Sequence, residues 1–483
     1  MRYIALVVSL LPSSAFAAGF YTGDVGTRGV GRGGAFVAAP DSVLAAHYNP
    51  AGLSQLRGLH LLVDASLVDF NATLNRRCPC ADPSLEMAAT YDAALTADFT
   101  PQTSRTPLLI PFIGAAYGFD FLDLTVAATV HGPNSGRHQW GDPPSTRRPN
   151  YVNEATDFAG RYSAHTVKNV EVNSALTVAL QPLPRLRVGA SLIVFLAQSE
   201  QTQTLWANLA DFPDGPEDPR FDVPIRFTLA PSLFLNWAVG ASYEPIDGLF
   251  IGASFRAERR VRGDGTLEAD LPRFLRDPDT NAPLLGAAIR GQDAKVALDI
   301  APIARAGIEY RMPGVFRAEA AVVWEGWSAH ESIVLSPQDI VIDLMGSSTP
   351  IPEITIDRRW VDTVSVRLGG ELDVLQPHLR LRAGYYFETS AVEERRLTIA
   401  RIDRPKHGFS LGASKSFYGF DIDVAFTYVH LAPSNVSNSE VPIVAPFAEE
   451  EDGIGDREFV STIGNGSVTS RFLIGSVAVG YRW

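Results

Sequence analysis

Five short stretches of this sequence carry residue types that do chemistry in other proteins. Gly29, Gly31 and Gly34 spell G-x-G-x-x-G, the pattern that cradles a dinucleotide pyrophosphate. That chemistry needs a strand before the glycines and a helix after them in a βαβ unit, and nothing downstream reads as doubly wound, so close packing of backbone is the better reading. Gly408-Phe409-Ser410-Leu411-Gly412 spells the nucleophile elbow G-x-S-x-G. An elbow is a strand-to-helix turn, whereas "HGFSLGASKSF" continues as a strand, so Ser410 is not expected to attack anything. Cys78-Pro79-Cys80 is the only thiol pair, and in an oxidising compartment a local disulfide is expected there. A metal site would need about two more ligands close by. The acidic run from Glu449 could hold a divalent cation but reads more simply as a solvated loop. Arg161 in "FAGRYSA" offers a guanidinium to a carboxylate head group, or to an acidic neighbour in its own wall, which is the favoured reading. No catalytic residue, resident metal or cofactor is expected.

The elements that would position such residues are strands. The chain opens "MRYIALVVSLLPSSAFA", with Arg2, an apolar run and an Ala15-Phe16-Ala17 ending, which predicts a secretory signal peptide over residues 1–17. No other uncharged apolar run of about 18 residues occurs, so spanning helices are excluded. With a net charge of −13 the chain is poorly suited to bind nucleic acid, which requires neutralising phosphates. Its 483 residues fit either two or three soluble domains or one large barrel.

Beyond a glycine-rich segment, alternating stretches are joined by six short turns, at "FDFLD", "QPLPR", "YEPIDG", "RMPGV", "VLQPH" and "SFYGFD". Long irregular connections separate them, and this asymmetry is that of outer-membrane barrels. Six hairpins with a first strand near 59–70 and a last near 468–483 predict fourteen strands, an all-β antiparallel transmembrane barrel. Alternation assigns the faces. Leu186, Val188, Ala190, Leu192, Val194 and Leu196 share one face, as do Val477, Val479, Tyr481 and Trp483 in the last strand. Charges of common parity, Lys295, Asp299, Arg305, Glu309 and Arg311 among them, are expected in the lumen, since lipid-facing Arg or Lys costs roughly 2–4 kcal/mol at midplane. Phe195 and Phe250 share the inward parity, which suits a path for greasy solutes better than a water-filled pore.

Several segments together resemble the FadL/TodX family of outer-membrane hydrophobic-compound transporters. They are Ala18-Gly19-Phe20, "RGVGRGGAFVAAPDSVLAAHYNPAGL", "NWAVGASYEPIDGLFIGASFRAERRVRGDG", "VVWEGWS" and "RRWVDTVSVRLGGELDVLQPHLRLRAGYYFETS". The resemblance implies a fourteen-stranded barrel over residues 58–483 and a luminal hatch over 18–57. It places Phe20 beside the ligand and makes Asn49, Pro50 and Ala51 the hatch signature. It further implies a lateral exit opened by a kink in the third strand, although "LDLTVAATVHGP" has no Gly or Pro within the strand to make one. The implied function is uptake of long-chain fatty acids, hydrocarbons or aromatics. The implied partners are the hydrophobic substrate, outer-membrane lipid and lipopolysaccharide, and the barrel-assembly machinery. A general diffusion porin for hydrophilic solutes is the alternative, and an outer-membrane hydrolase a third class.

Overall fold

The computed structural model describes residues 24–77, 101–132, 136–140, 160, 162–164, 166–206, 221–375, 379–399, 402–441 and 462–483. Fourteen antiparallel strands make the wall. The first six are β1 (Gly58–Arg76), β2 (Gln102–Gly118), β3 (Thr125–His131, resuming at Gly136–Gln139), β4 (Thr166–Leu183), β5 (Leu186–Trp206) and β6 (Asp222–Ile246). The next four each come in two pieces: β7 (Leu249–Arg256 and Arg259–Ala269), β8 (Asp293–Ile300 and Ile303–Met312), β9 (Phe316–Glu325 and Ser332–Pro337) and β10 (Ile354–Asp357 and Thr363–Leu375). The wall ends with β11 (Leu379–Glu388), β12 (Lys406–Phe417), β13 (Phe420–Leu431 and Ser434–Val436) and β14 (Gly466–Arg482).

Each strand pairs with its sequence neighbours, and β1 pairs with β14 from His60 opposite Arg482 to Arg76 opposite Gly466, which closes the sheet. Closure is the only way a sheet can stand in hydrocarbon without unpaired edges. The expected alternation holds along the last strand, where Val477 and Val479 are exposed while Ala478 and Ser476 are buried. Leu192, Leu233, Leu235 and Ile251 continue the outward apolar face on other strands. The six short connections predicted from turn residues join β2–β3, β4–β5, β6–β7, β8–β9, β10–β11 and β12–β13.

One parity reading is corrected. Arg305 and Glu309 are buried in the lumen, but Lys295 and Asp299 lie on the outer face of the same strand. Ala301-Pro302 interrupts β8 between its two pieces, and the alternation changes sense there. A proline cannot donate to the ladder, so it marks such a break. The neighbouring two-piece strands break at the same end, so the wall above the break is a continuation of the sheet with its own facing.

The connection between β11 and β12 folds inward instead of standing out as a loop. Ala391, Val392, Leu397, Ile399 and Ile402 are buried in one apolar cluster with Phe70, Ile110, Phe195, Val429 and Phe472 of the wall. Trp140 donates its indole N–H to the Ile399 carbonyl at 3.0 Å. These apolar side chains had no clear period in the sequence because they cover the lumen from a coil.

A closed wall of this kind resists unfolding in detergent until boiled. The protein is therefore expected to migrate faster on a gel unheated than after boiling. Equal mobility in the two samples would contradict closure.

Candidate functional site

Residues 24–57 lie against the inward faces of the strands. The segment comprises two short helices, Thr27–Gly31 and Ala45–Tyr48, and a 3-10 turn at Pro50–Gln55. It is too rich in glycine to be wall strand, and its backbone is held by wall side chains. Glu319 accepts from the backbone N–H groups of Val37 and Ala38 at 2.6 and 3.0 Å. Ser242 and Ser254 donate to the carbonyls of Ala38 and Tyr48, both at 2.6 Å. Asp64 accepts from the Thr27 N–H at 2.6 Å.

Charge does the rest. Arg32 is fully buried and reaches Glu309 at 2.8 Å, Glu319 at 3.1 Å and Glu371 at 3.4 Å. Arg28 reaches Asp421 at 3.0 Å and Asp423 at 3.3 Å, and Asp41 receives Arg317 at 2.7 Å. Arg382 joins Glu371 to Asp423 and Arg311 flanks Glu309, so Arg28, Arg32, Arg311, Arg317 and Arg382 form one network with six carboxylates, with Arg482 at its end 3.9 Å from Asp421. Burial pushes the Asp41 carboxyl up, but Arg317, Arg311 and Arg28 outweigh it and hold the group well below the ordinary carboxylate range.

Glycines of the wall admit this segment. Gly189 and Gly240 stand opposite each other on β5 and β6, and a Cβ at Gly189 would come within 2.5 Å of the Pro50 carbonyl carbon. Gly369 and Gly384 make the same kind of flat patch under Arg32 and Gly33 on β10 and β11. Gly31 and Gly412, which belong to the two motifs that suggested nucleotide and acyl chemistry, face each other across the same interface. Ser410 is buried and bonded to Thr427 at 2.7 Å.

The predicted site residues are not all together. Asn49, Pro50 and Ala51 sit on the first glycine pair. Asn49 donates to the carbonyls of Val37 and Ala241 at 2.8 and 3.0 Å and accepts from the Ala51 N–H at 3.1 Å. Phe195 lies away from them in the large apolar cluster, stacked on Phe234 at 5.1 Å and beneath Arg259, which pairs with Glu171. Phe250 is on the other side of the ion network. It packs on Ala38 and Ala39, between the guanidinium groups of Arg187 and Arg311 at 5.5 and 5.0 Å, and lines a cleft of about 510 Å³ at the short-turn end. Phe20, Arg161, Cys78, Cys80 and the acidic run from Glu449 lie outside the described residues.

The lumen thus has two halves. Toward the long loops it is lined by the apolar cluster, with a cavity of about 150 Å³ among Leu205, Ile225, Leu267, Phe274, Leu275, Ile289, Ile342 and Ile351. Toward the short turns it is filled by residues 24–57 and the ion network. Between the halves the ladder joining β2 to β3 ends. Its last rung is Phe112 opposite His131, and the continuation of β3 at Gly136–Gln139 is laddered to β4 alone among the described residues. The cause is in β2. The carbonyl of Pro111 points at β3, accepting from Gly132 at a long 3.4 Å. In an antiparallel strand the N–H and C=O of one residue face the same neighbour. Pro111 and Pro107, four residues away on the same edge, therefore lack the two donors that this seam needs.

The family model described as outer membrane protein transport protein (OMPP1/FadL/TodX) matches residues 8–450. The chain belongs to this family. It is an outer-membrane transport protein, and its short-turn end is the periplasmic one. Among solved structures, a Pseudomonas aeruginosa FadL homologue is 16% identical with a TM-score of 0.71, covering 96% of this chain and 100% of that one. The Ralstonia pickettii toluene transporter TbuX is 14% identical with a TM-score of 0.60, covering 95% and 98%. The Pseudomonas putida toluene transporter TodX is 13% identical with a TM-score of 0.60, covering 98% and 99%. At these identities the likeness concerns the fold. No curated protein matches the chain.

Two outcomes follow from the ion network. Arg32→Met leaves Glu309, Glu319 and Glu371 without their shared partner, at a cost of roughly 3–5 kcal/mol for a broken buried pair. Single-channel ion conductance in planar bilayers should rise from near zero. For Asp41, a carboxyl held low contributes stability that is present above the ordinary pKa of about 3.9 and lost as pH falls through its own lower value. The conductance difference between wild type and Asp41→Asn should therefore be constant from pH 7 to about pH 5. A difference that vanishes by pH 5 would show that Asp41 is not held by Arg317.

Proposed function

We propose that the protein takes up small hydrophobic molecules from the outside, binds them in the apolar upper lumen, and releases them sideways through the wall between β2 and β3, with residues 18–57 acting as the hatch. The observation that carries this reading is the incomplete seam. It begins where the apolar half of the lumen meets the ion network, and a hydrocarbon cannot enter that network without desolvating charges. On the outer face the seam is flanked by Pro107 and Leu109 of β2 and by Val170 and Val172 of β4. A greasy solute leaving there meets hydrocarbon, where its transfer is favourable.

The cavity at the long-loop end favours a compact neutral solute over a long-chain acid. Among the described residues it is lined almost wholly by aliphatic and aromatic side chains, with Asp270 and Thr349 as its polar members and no cation for a carboxylate. An apolar cavity of that size stays dry and holds a single-ring hydrocarbon. A diffusion porin for hydrophilic solutes is disfavoured by the packed upper lumen. Above the apolar belt, outward Arg105, Lys168 and Arg226 lie beside Asp69, Glu200 and Glu268. That level suits the phosphates of lipopolysaccharide, which arginine and lysine recognise.

The test restores the donors. Pro107→Val with Pro111→Val returns two N–H groups to the edge of β2, and two neutral hydrogen bonds shift an opening equilibrium by about tenfold or more. Uptake of radiolabelled toluene into cells should fall by that order while the barrel stays folded. Unchanged uptake would place the exit elsewhere. Deleting residues 20–48 gives a second check. Ion conductance should rise sharply and toluene uptake should be lost, whereas conductance that stays near zero would mean these residues are not the plug.

A further inference from the structure

The seam stops at a histidine, and a second histidine from the N-terminal segment meets it there. His131 forms the last rung with Phe112, and its Nε2 lies 3.2 Å from Nδ1 of His47. Both side chains are buried, and the rings stand edge-on with centroids 5.1 Å apart. His131 also tilts against Phe112 at 5.5 Å, and His47 against Tyr48 at 5.1 Å. Tyr48 is fixed at both ends: its hydroxyl accepts from the Val25 N–H at 3.0 Å and its carbonyl accepts from Ser254 at 2.6 Å. A continuous line of contacts thus runs from the open seam through His131, His47 and Tyr48 into the body of the hatch.

We propose that His47 and His131 are positioning residues that latch the seam, tying β3 to the hatch at the point where β2 stops holding it. This inference rests on the lateral exit proposed above. Among the described residues, the contacts between β2 and β3 beyond the last rung include the long Gly132 bond and Ser104, which donates to the Gln139 carbonyl at 2.8 Å. One buried bond at the edge of so sparse a seam sets how readily the strands part. One imidazole donates and the other accepts, so the bond vanishes when either ring is removed, and it is equally absent when both are.

That property supplies the test. Spin labels at L109C and V172C, in a C78S/C80S background, report the outer-face distance across β3 by pulsed dipolar spectroscopy. A neutral buried hydrogen bond is worth about a fivefold change in such an equilibrium. His47→Ala and His131→Ala should each raise the population of longer distances about fivefold. The double variant should do no more than either single one, because coupled residues are not additive. His47→Gln, which can both donate and accept, should retain the wild-type distribution. Heat-modifiable migration checks that each barrel is folded. Unchanged distances, or additive effects in the double variant, would overturn the latch. Non-additive lengthening with toluene uptake at the wild-type level would leave the latch standing and remove the lateral exit instead.

Discussion

A strand wall in hydrocarbon must pair its backbone donors and acceptors, and the transport path proposed for this molecule turns on the seam between β2 and β3, where prolines remove two donors. The ladder that closes the wall, β1 with β14, runs from His60 opposite Arg482 to Arg76 opposite Gly466. At Pro107 and Pro111 the donors facing β3 are missing. An unpaired edge there would cost several kcal/mol per exposed group. The structure limits that cost by ending the ladder at buried rings, Phe112 and His131, and by backing them with His47 and Tyr48.

Residues 24–57 and their ion network fill the lower lumen while apolar side chains fill the upper lumen, and this division supports the path proposed above. Buried guanidinium–carboxylate networks are seldom the cheapest way to fill space, since well-packed apolar groups often stabilise as much. What the network around Arg32 provides is a barrier that hydrocarbon cannot enter and a fixed orientation for the hatch. Phe195 and Phe250 show the consequence, because the same inward parity puts one among aliphatic side chains and the other between two arginines.

Much of this was legible in the sequence, and the parts that were not have physical reasons. Alternation and turn residues located all fourteen strands and the six short turns, because lipid on one side forces a period of two. Parity failed for Lys295 and Asp299 because Pro302 interrupts β8, a break whose effect on facing depends on the partners across the sheet. The resemblance implied a lateral exit at a kink in the third strand, whose stretch up to His131 has no Gly or Pro. The exit proposed above rests instead on the second strand, at two prolines that matter only once the neighbour they face is known. The glycine pairs beneath Pro50 and Arg32 were hidden likewise, since cross-strand register is a property of the closed sheet. His47 and His131 are 84 residues apart and have no motif.

Lateral release requires that solute leave through the wall while the body of residues 24–57 stays in place. Ser242 on β6 donates to the Ala38 carbonyl at 2.6 Å, so cysteines at these two positions can be joined by a short thiol crosslinker that ties the hatch to the wall. The direct measurement is toluene uptake by A38C/S242C cells before and after crosslinking, with the extent of crosslinking quantified on a gel. Lateral release predicts that uptake persists near the uncrosslinked rate when the hatch is tied. Loss of uptake in proportion to the crosslinked fraction, restored when the link is cleaved, would show that solute passes where the hatch stands and would contradict the account.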